Sequence, residues 1–319
     1  MYHSRAMQHH TAFVFPGQGS QYAGMGKDVA EKYPVARRVF DDIDAALGIS
    51  ISTLCFEGPD EDLKLTENTQ PAILAVSSAI HAVLEDRGAT RRDIVAGHSL
   101  GEYSAIVSVG GLTPAEAATI VRARGRFMQE AVPVGAGAMA AILGPTVDEA
   151  KEICDEASQG DVVSVANINA PGQIVIAGTK SAVERAIDIA KKRGRRALPL
   201  PVSAPFHCEL MKPAEERLRP VLEDANLKDL WFSVVSNVDA SPIGTATAVR
   251  NALLRQVASP VRWVESVQLM ISMGVRRFVE VGPGKVLTGL IKRIDSSVEL
   301  INVSDVASLE AFVEKVSAE

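Results

Sequence analysis

Three residue types, far apart in the chain, could act together in nucleophilic chemistry: a serine, a histidine and an arginine. Ser99 lies in Gly97-His98-Ser99-Leu100-Gly101, a Gly-x-Ser-x-Gly pattern that exposes a nucleophilic hydroxyl when a strand leads in and a helix leads out. Both flanks fit. Ile94 to Ala96 is a short apolar run suited to a buried strand, and Leu100 to Val109 can form a helix that Gly110-Gly111 would stop. At such a turn the two glycines leave room where a side chain would strike the neighbouring strand or helix.

A serine needs a base. Of six histidines, three (His3, His9, His10) stand in the first ten residues. His81 falls within a helical apolar stretch, where a satisfied, partly buried structural role is expected. His98 adjoins Ser99, and adjacent side chains at such a turn diverge. His207, in the loop Ala204-Pro205-Phe206-His207 after an expected strand, remains as the base. Arg124 is the third group. It shares a stripe with Ala117, Ile120, Val121 and Met128 at spacings of three and four. A guanidinium aimed inward needs an anionic partner, and a substrate could supply it. Arg122 and Arg126 fall toward the solvated side.

The loop Pro16-Gly17-Gln18-Gly19-Ser20-Gln21 follows the expected strand Thr11 to Phe15. Tyr22 stands where a dinucleotide loop needs glycine, and no Lys-Ser or Lys-Thr follows as a P-loop requires. The glycines would instead let the backbone, with Gln18, approach a substrate closely.

The elements that must position these groups are helices at Asp28 to Leu47 and Thr69 to Arg87, both read as amphipathic, the second opening near Pro71. A capped helix runs from Thr113-Pro114-Ala115-Glu116 to about Glu130. After Pro133-Val134-Gly135-Ala136-Gly137 the texture changes to strand, helix, strand, strand, helix, strand, with Asn169-Ala170-Pro171-Gly172 as a hairpin turn. That order is the ferredoxin-like split βαβ arrangement. Beyond it come helices at Met211 to Leu222, Val249 to Gln256 and Val264 to Met273. Strands are expected at Trp231 to Ser236 and Arg277 to Val281, the latter entering the turn Gly282-Pro283-Gly284 ahead of another helix. The fold class is therefore α/β: a large lobe (11–131 and 204–319) with a mostly parallel sheet and an α/β-hydrolase-like nucleophile elbow, and an inserted ferredoxin-like α+β lobe (132–203). Residues 1–10 read as a flexible tail.

The chain has 319 residues, 47% hydrophobic and 23% charged, with net charge -6, enough for a sizeable core and without a pull toward nucleic acid. No apolar run approaches a membrane span. Cys55, Cys154 and Cys208 show neither disulfide nor metal spacing, and a reducing cytoplasm is expected. Lys191, Lys192, Arg193, Arg195 and Arg196 either offset a helix dipole or form a docking patch for an acidic partner.

Read together, Phe15-Pro16-Gly17-Gln18-Gly19-Ser20-Gln21, Gly97 to Ser104, Arg124-Gly125-Arg126-Phe127-Met128-Gln129, Pro205-Phe206-His207 and Val281-Gly282-Pro283-Gly284-Lys285 resemble the malonyl-CoA:acyl carrier protein transacylases of bacterial type II fatty acid synthesis. The likeness covers nearly everything from Thr11 onward. It implies ping-pong transfer of malonyl from malonyl-CoA, through an ester on Ser99, to the phosphopantetheine thiol of acyl carrier protein, with no cofactor of the enzyme's own. By the same resemblance His207 is the base, oriented by the backbone carbonyl of Gln256. The amides of Gln18 and Leu100 form the oxyanion hole, and Arg124 pairs with the malonyl carboxylate, Met128 and Phe206 lining the acyl site. Two other readings stand beside it: a serine esterase or thioesterase, and a non-catalytic nucleotide-binding or scaffold module.

Overall fold

A computed structural model describes residues 10–202 and 204–319. Ten strands occur among them: β1 (His10–Phe15), β2 (Ile94–Gly97), β3 (Gly137–Leu143), β4 (Val163–Ala170), β5 (Gln173–Thr179), β6 (Arg196–Pro199), β7 (Val234–Val235), β8 (Pro242–Ile243), β9 (Val275–Val281) and β10 (Glu299–Val303). Six of them form one sheet in the order β10-β9-β1-β2-β7-β8. Its first five strands run parallel, and β8 folds back antiparallel on β7. Near-continuous apolar strands fit a sheet covered on both faces. Along β1, Phe13 and Phe15 enter the core on one face, and Ala12 and Val14 that on the other.

The helix Thr66–Asp86 corrects an expectation. Instead of opening near Pro71 with one wet face, it starts at Thr66 and is buried on every side from Thr69 through His81. Its neighbours, including the helices Pro34–Leu47 and Pro114–Glu130, enclose it, and tertiary burial outweighs the proline. His81 is likewise no satisfied histidine. Its Nε2 is buried without a partner, and burial pushes its pKa down to about 3. The expected helix Asp28 to Leu47 is two, Lys27–Lys32 and Pro34–Leu47. Tyr33 between them is extended because the following proline excludes it from helical geometry.

Four strands form a second, antiparallel sheet in the order β4-β5-β3-β6. The helices Val147–Ser158 and Lys180–Lys192 pack on one face through Ala140, Ile142, Ile153 and Ala186. Met139 and Val175 on the other face join the main core. The hairpin turn is tighter than expected, because Asn169 and Ala170 belong to β4 and only Pro171 and Gly172 turn the chain. Gly172 supplies the positive φ of 68° that a Pro-Gly turn needs at its second position.

Three further differences mark the edges. His10 lies in β1, beside Val275, so the tail read as residues 1–10 excludes it; residues 1–9 and Ser203 lie outside the described residues. Only Val234 and Val235 of the expected strand Trp231 to Ser236 pair in the sheet, and Trp231 lies 71% exposed. Its ring rests against Gly110, and its N–H bonds the Val109 carbonyl. The strand β10 and helix Val306–Ser317 were not anticipated at all.

Candidate active site

The turn from β2 into the helix Gly101–Ser108 holds Ser99 at φ 51°, a left-handed conformation that a non-glycine residue keeps only when its surroundings enforce it. A Cβ at Gly97 would overlap the backbone of Gly101, and one at Gly101 would overlap the Phe15 carbonyl. The two glycines therefore let β1, the turn and the helix close on one another. Asn237 clamps the turn from outside. Its Oδ1 accepts from the Ser99 N–H at 2.7 Å, and its Nδ2 donates to the Gly97 carbonyl at 2.7 Å.

His207 reaches Ser99 from a buried loop, with Nε2 2.8 Å from Ser99 Oγ and Nδ1 2.9 Å from the main-chain oxygen of Gln256. A carbonyl can only accept, so Nδ1 carries the proton and Nε2 is left to accept from the serine hydroxyl. Burial first, then the Arg124 charge, hold the imidazole pKa down to about 3. The ring is therefore neutral, the form a general base requires. His98 turns away, pairing its Nε2 with Asn169 Oδ1 at 2.8 Å.

Arg124 is 1% exposed and, among the described residues, faces no carboxylate at salt-bridge distance. One of its terminal nitrogens donates to Gln70 Oε1 at 2.7 Å. The other donates to Gln256 Oε1 at 2.9 Å and to Ser99 Oγ at 3.1 Å. Among the described residues Nε has no partner, so a buried cation stands beside the Ser99 hydroxyl with donors to spare. Glu102, fully buried on the helix after the turn, is an acid whose charge acts on Arg124. Burial pushes its pKa up to about 7 against the opposing pull of Gln256, Asn237 and Arg124.

A cavity of about 190 Å³ opens onto these groups. Gln18, Leu100, Met128 and Phe206 line it with Ser99, Arg124 and His207, joined by Met139 and Val175 of the second sheet and by Leu200 just past β6. Every expected site residue thus converges here, Gln256 from just behind. The basic cluster fares differently. Arg193 is tied to Glu152 and Glu156, and Arg195 to Glu149, so both are spent on the helix Val147–Ser158. Lys191, Lys192 and Arg196 stay exposed. Glu102 and Asn237 went unread in the sequence; their only signal was polarity next to buried apolar runs.

Such an arrangement can attack an activated carbonyl and hold an anionic group beside it. Among the described residues no helix is long and apolar enough to cross a membrane. Residues 12–311 match the family model for the acyl transferase domain. The malonyl CoA-acyl carrier protein transacylase of Bacillus subtilis is 48% identical over 97% of this chain and 98% of its own. Its Escherichia coli counterpart is 48% identical over 95% and 98%. An acyl carrier protein S-malonyltransferase structure from Vibrio cholerae superposes with a TM-score of 0.92 at 48% identity, covering 94% of this chain and 99% of that one. A malonyl-transacylase solved in complex with its type II polyketide acyl carrier protein gives 0.93 at 47% identity, over 96% and 99%. With sequence and architecture agreeing along almost the whole length, the chain belongs to the acyl transferase family, among its malonyl-CoA:acyl carrier protein transacylases.

Proposed function

We propose that this protein transfers the malonyl group of malonyl-CoA to the phosphopantetheine thiol of an acyl carrier protein, through a malonyl ester on Ser99. His207 takes the Ser99 proton as Oγ attacks the thioester carbonyl, and returns it to the departing CoA thiolate. The backbone amides of Gln18 and Leu100 stabilise the oxyanion. The carrier's thiol then attacks the ester by the same steps in reverse order. Arg124 takes the malonyl carboxylate, and the pairing also serves His207. The guanidinium charge depresses imidazole basicity, so a carboxylate that neutralises it makes the base stronger once the correct acyl group is in place.

The single observation that carries this reading is Arg124, a buried cation without an acidic partner, 3.1 Å from the nucleophile. An esterase has no use for it. No cofactor is required, since both thiols arrive with the substrates. We assign the turn at Ser99 to the α/β-hydrolase type of nucleophile elbow, residues 132–203 to an inserted ferredoxin-like lobe, and 11–131 with 204–319 to the catalytic lobe. The carrier protein docks near Lys191, Lys192 and Arg196, and the reaction takes place in the cytoplasm.

The test is intact-mass analysis after mixing the protein with malonyl-CoA, then with holo carrier protein. A malonyl adduct on Ser99 that moves to the carrier is expected. Release of free malonate as the main product would make the protein a hydrolase, and an unmodified Ser99 would remove the reading altogether.

A further inference from the structure

The Glu102 carboxyl joins all three reacting groups without touching any of them. Its Oε2 accepts from Gln256 Nε2 at 2.7 Å and from the Asn237 main-chain N–H at 3.1 Å. Gln256 Nε2 spends its other proton on the Ser99 carbonyl at 3.0 Å. Both acceptors lie on one side of the amide. Its oxygen must then turn the other way, toward Arg124, while the Gln256 main chain holds His207. Asn237, anchored by the same carboxyl, holds the Ser99 turn.

We propose that Glu102 is a positioning residue for acyl selection: as a carboxylate it fixes the Gln256 amide with oxygen toward Arg124, so the guanidinium is aimed at a carboxylate-bearing acyl group. This rests on the malonyl reading above. An ionised carboxylate only accepts, whereas a carboxamide or protonated carboxyl also donates and holds the Gln256 amide less firmly, leaving the Ser99 carbonyl and Arg124 to keep it in this sense. A less firmly held amide gives Arg124 a mobile acceptor, and the guanidinium swings off line.

The charged and titratable groups facing Glu102 are Arg124 and Tyr103, which pack beside it, and Asp239 and Arg255 from the elements beyond Asn237 and Gln256. Its carboxyl ionises near pH 7, while His207 and His98 are both held below the ordinary histidine range. Selectivity for malonyl over acetyl should therefore rise as pH passes upward through neutrality.

The experiment measures rates of Ser99 loading from malonyl-CoA and from acetyl-CoA by quenched intact mass, for the parent and Glu102→Gln, on either side of neutral pH. The malonyl-to-acetyl ratio is expected to fall about tenfold in Glu102→Gln, the scale of one misdirected hydrogen bond to a charge, and to lose its pH dependence. An unchanged ratio, or equal slowing of both acyl groups with a lower melting temperature, overturns the proposal in favour of a purely structural carboxyl. Should Glu102→Gln fail to fold, Gln256→Met removes the same amide while keeping the carbonyl on His207. The same fall in ratio is expected there, and a parental ratio overturns the proposal. A parent that never loads malonyl on Ser99 is a separate result, which ends the functional reading and this one with it.

Discussion

The guanidinium of Arg124 donates directly to the hydroxyl oxygen of Ser99, over 3.1 Å. Ser99 Oγ therefore sits between a donor and an acceptor, Arg124 on one side and His207 Nε2 at 2.8 Å on the other. In the proposed ester Oγ carries no hydrogen, so its bond to His207 Nε2 is lost while the oxygen can still accept from Arg124.

Removing that cation should separate the two acyl donors. Arg124→Ala is expected to lower malonyl loading of Ser99 by about 10- to 150-fold, the equivalent of a charge-assisted pair of roughly 1.5–3 kcal/mol. Acetyl loading should hold or rise. Parallel loss of both, in competition assays with the two CoA esters, would deny Arg124 its part in selection.

His207→Ala should slow acylation by on the order of 10² to 10⁴, the usual contribution of a positioned base. Circular dichroism should show the fold retained, because a neutral side chain leaves no buried charge behind. A variant that loads Ser99 as fast as the parent would clear the imidazole of any role.

His81 and His207 should each cost stability on mild acidification. His81 and His207 are held near 3 when folded, against 6.5 as ordinary histidines. Their contribution is complete above about pH 6.5 and is lost as pH drops toward 3, where only the unfolded chain accepts the protons. Glu102 works the other way: raised from 4.5 to about 7, it stabilises below 4.5 and loses that contribution as pH rises through 7. Between these limits the histidines, His98 among them, lower stability on acidification, while Glu102, with Glu85 and Glu280 raised likewise, acts the other way. Urea midpoints at several pH values measure the balance. His81→Leu removes one of the histidine contributions and should leave the protein less sensitive to acidification than the parent; an unchanged dependence would show that His81 takes no part.

Charge reversal at Lys191 and Lys192 should raise the KM for carrier protein several-fold while leaving malonyl loading from CoA untouched, because rim charges act on encounter more than on chemistry. Steady-state kinetics with each substrate varied in turn separates the two effects. Equal KM values would place the carrier elsewhere.

How far the sequence discloses this site depends on how local each signal is. The Ser99 turn is written in consecutive residues, strand, glycine, serine, glycine, helix, and needs no tertiary knowledge. Arg124 is visible because one helix period puts a charge among apolar neighbours. Gln256 could be reached only through resemblance, since the atom it offers His207 belongs to every residue type. Glu102 and Asn237 were missed because their partners lie about 135 to 154 residues away. The helix Thr66–Asp86 was misread for a related reason: its polar residues suggest a wet face, yet neighbouring elements enclose Gln70, Ser77 and His81.

The bond from His207 Nδ1 to the Gln256 carbonyl has a genetic consequence. No codon change at position 256 can delete a peptide oxygen, so the partner that orients the His207 imidazole is shielded from the point mutations that would destroy an aspartate in that place. It is lost only when the helix end itself moves, for which a proline inserted within the helix Ala246–Gln256 is the plainest route.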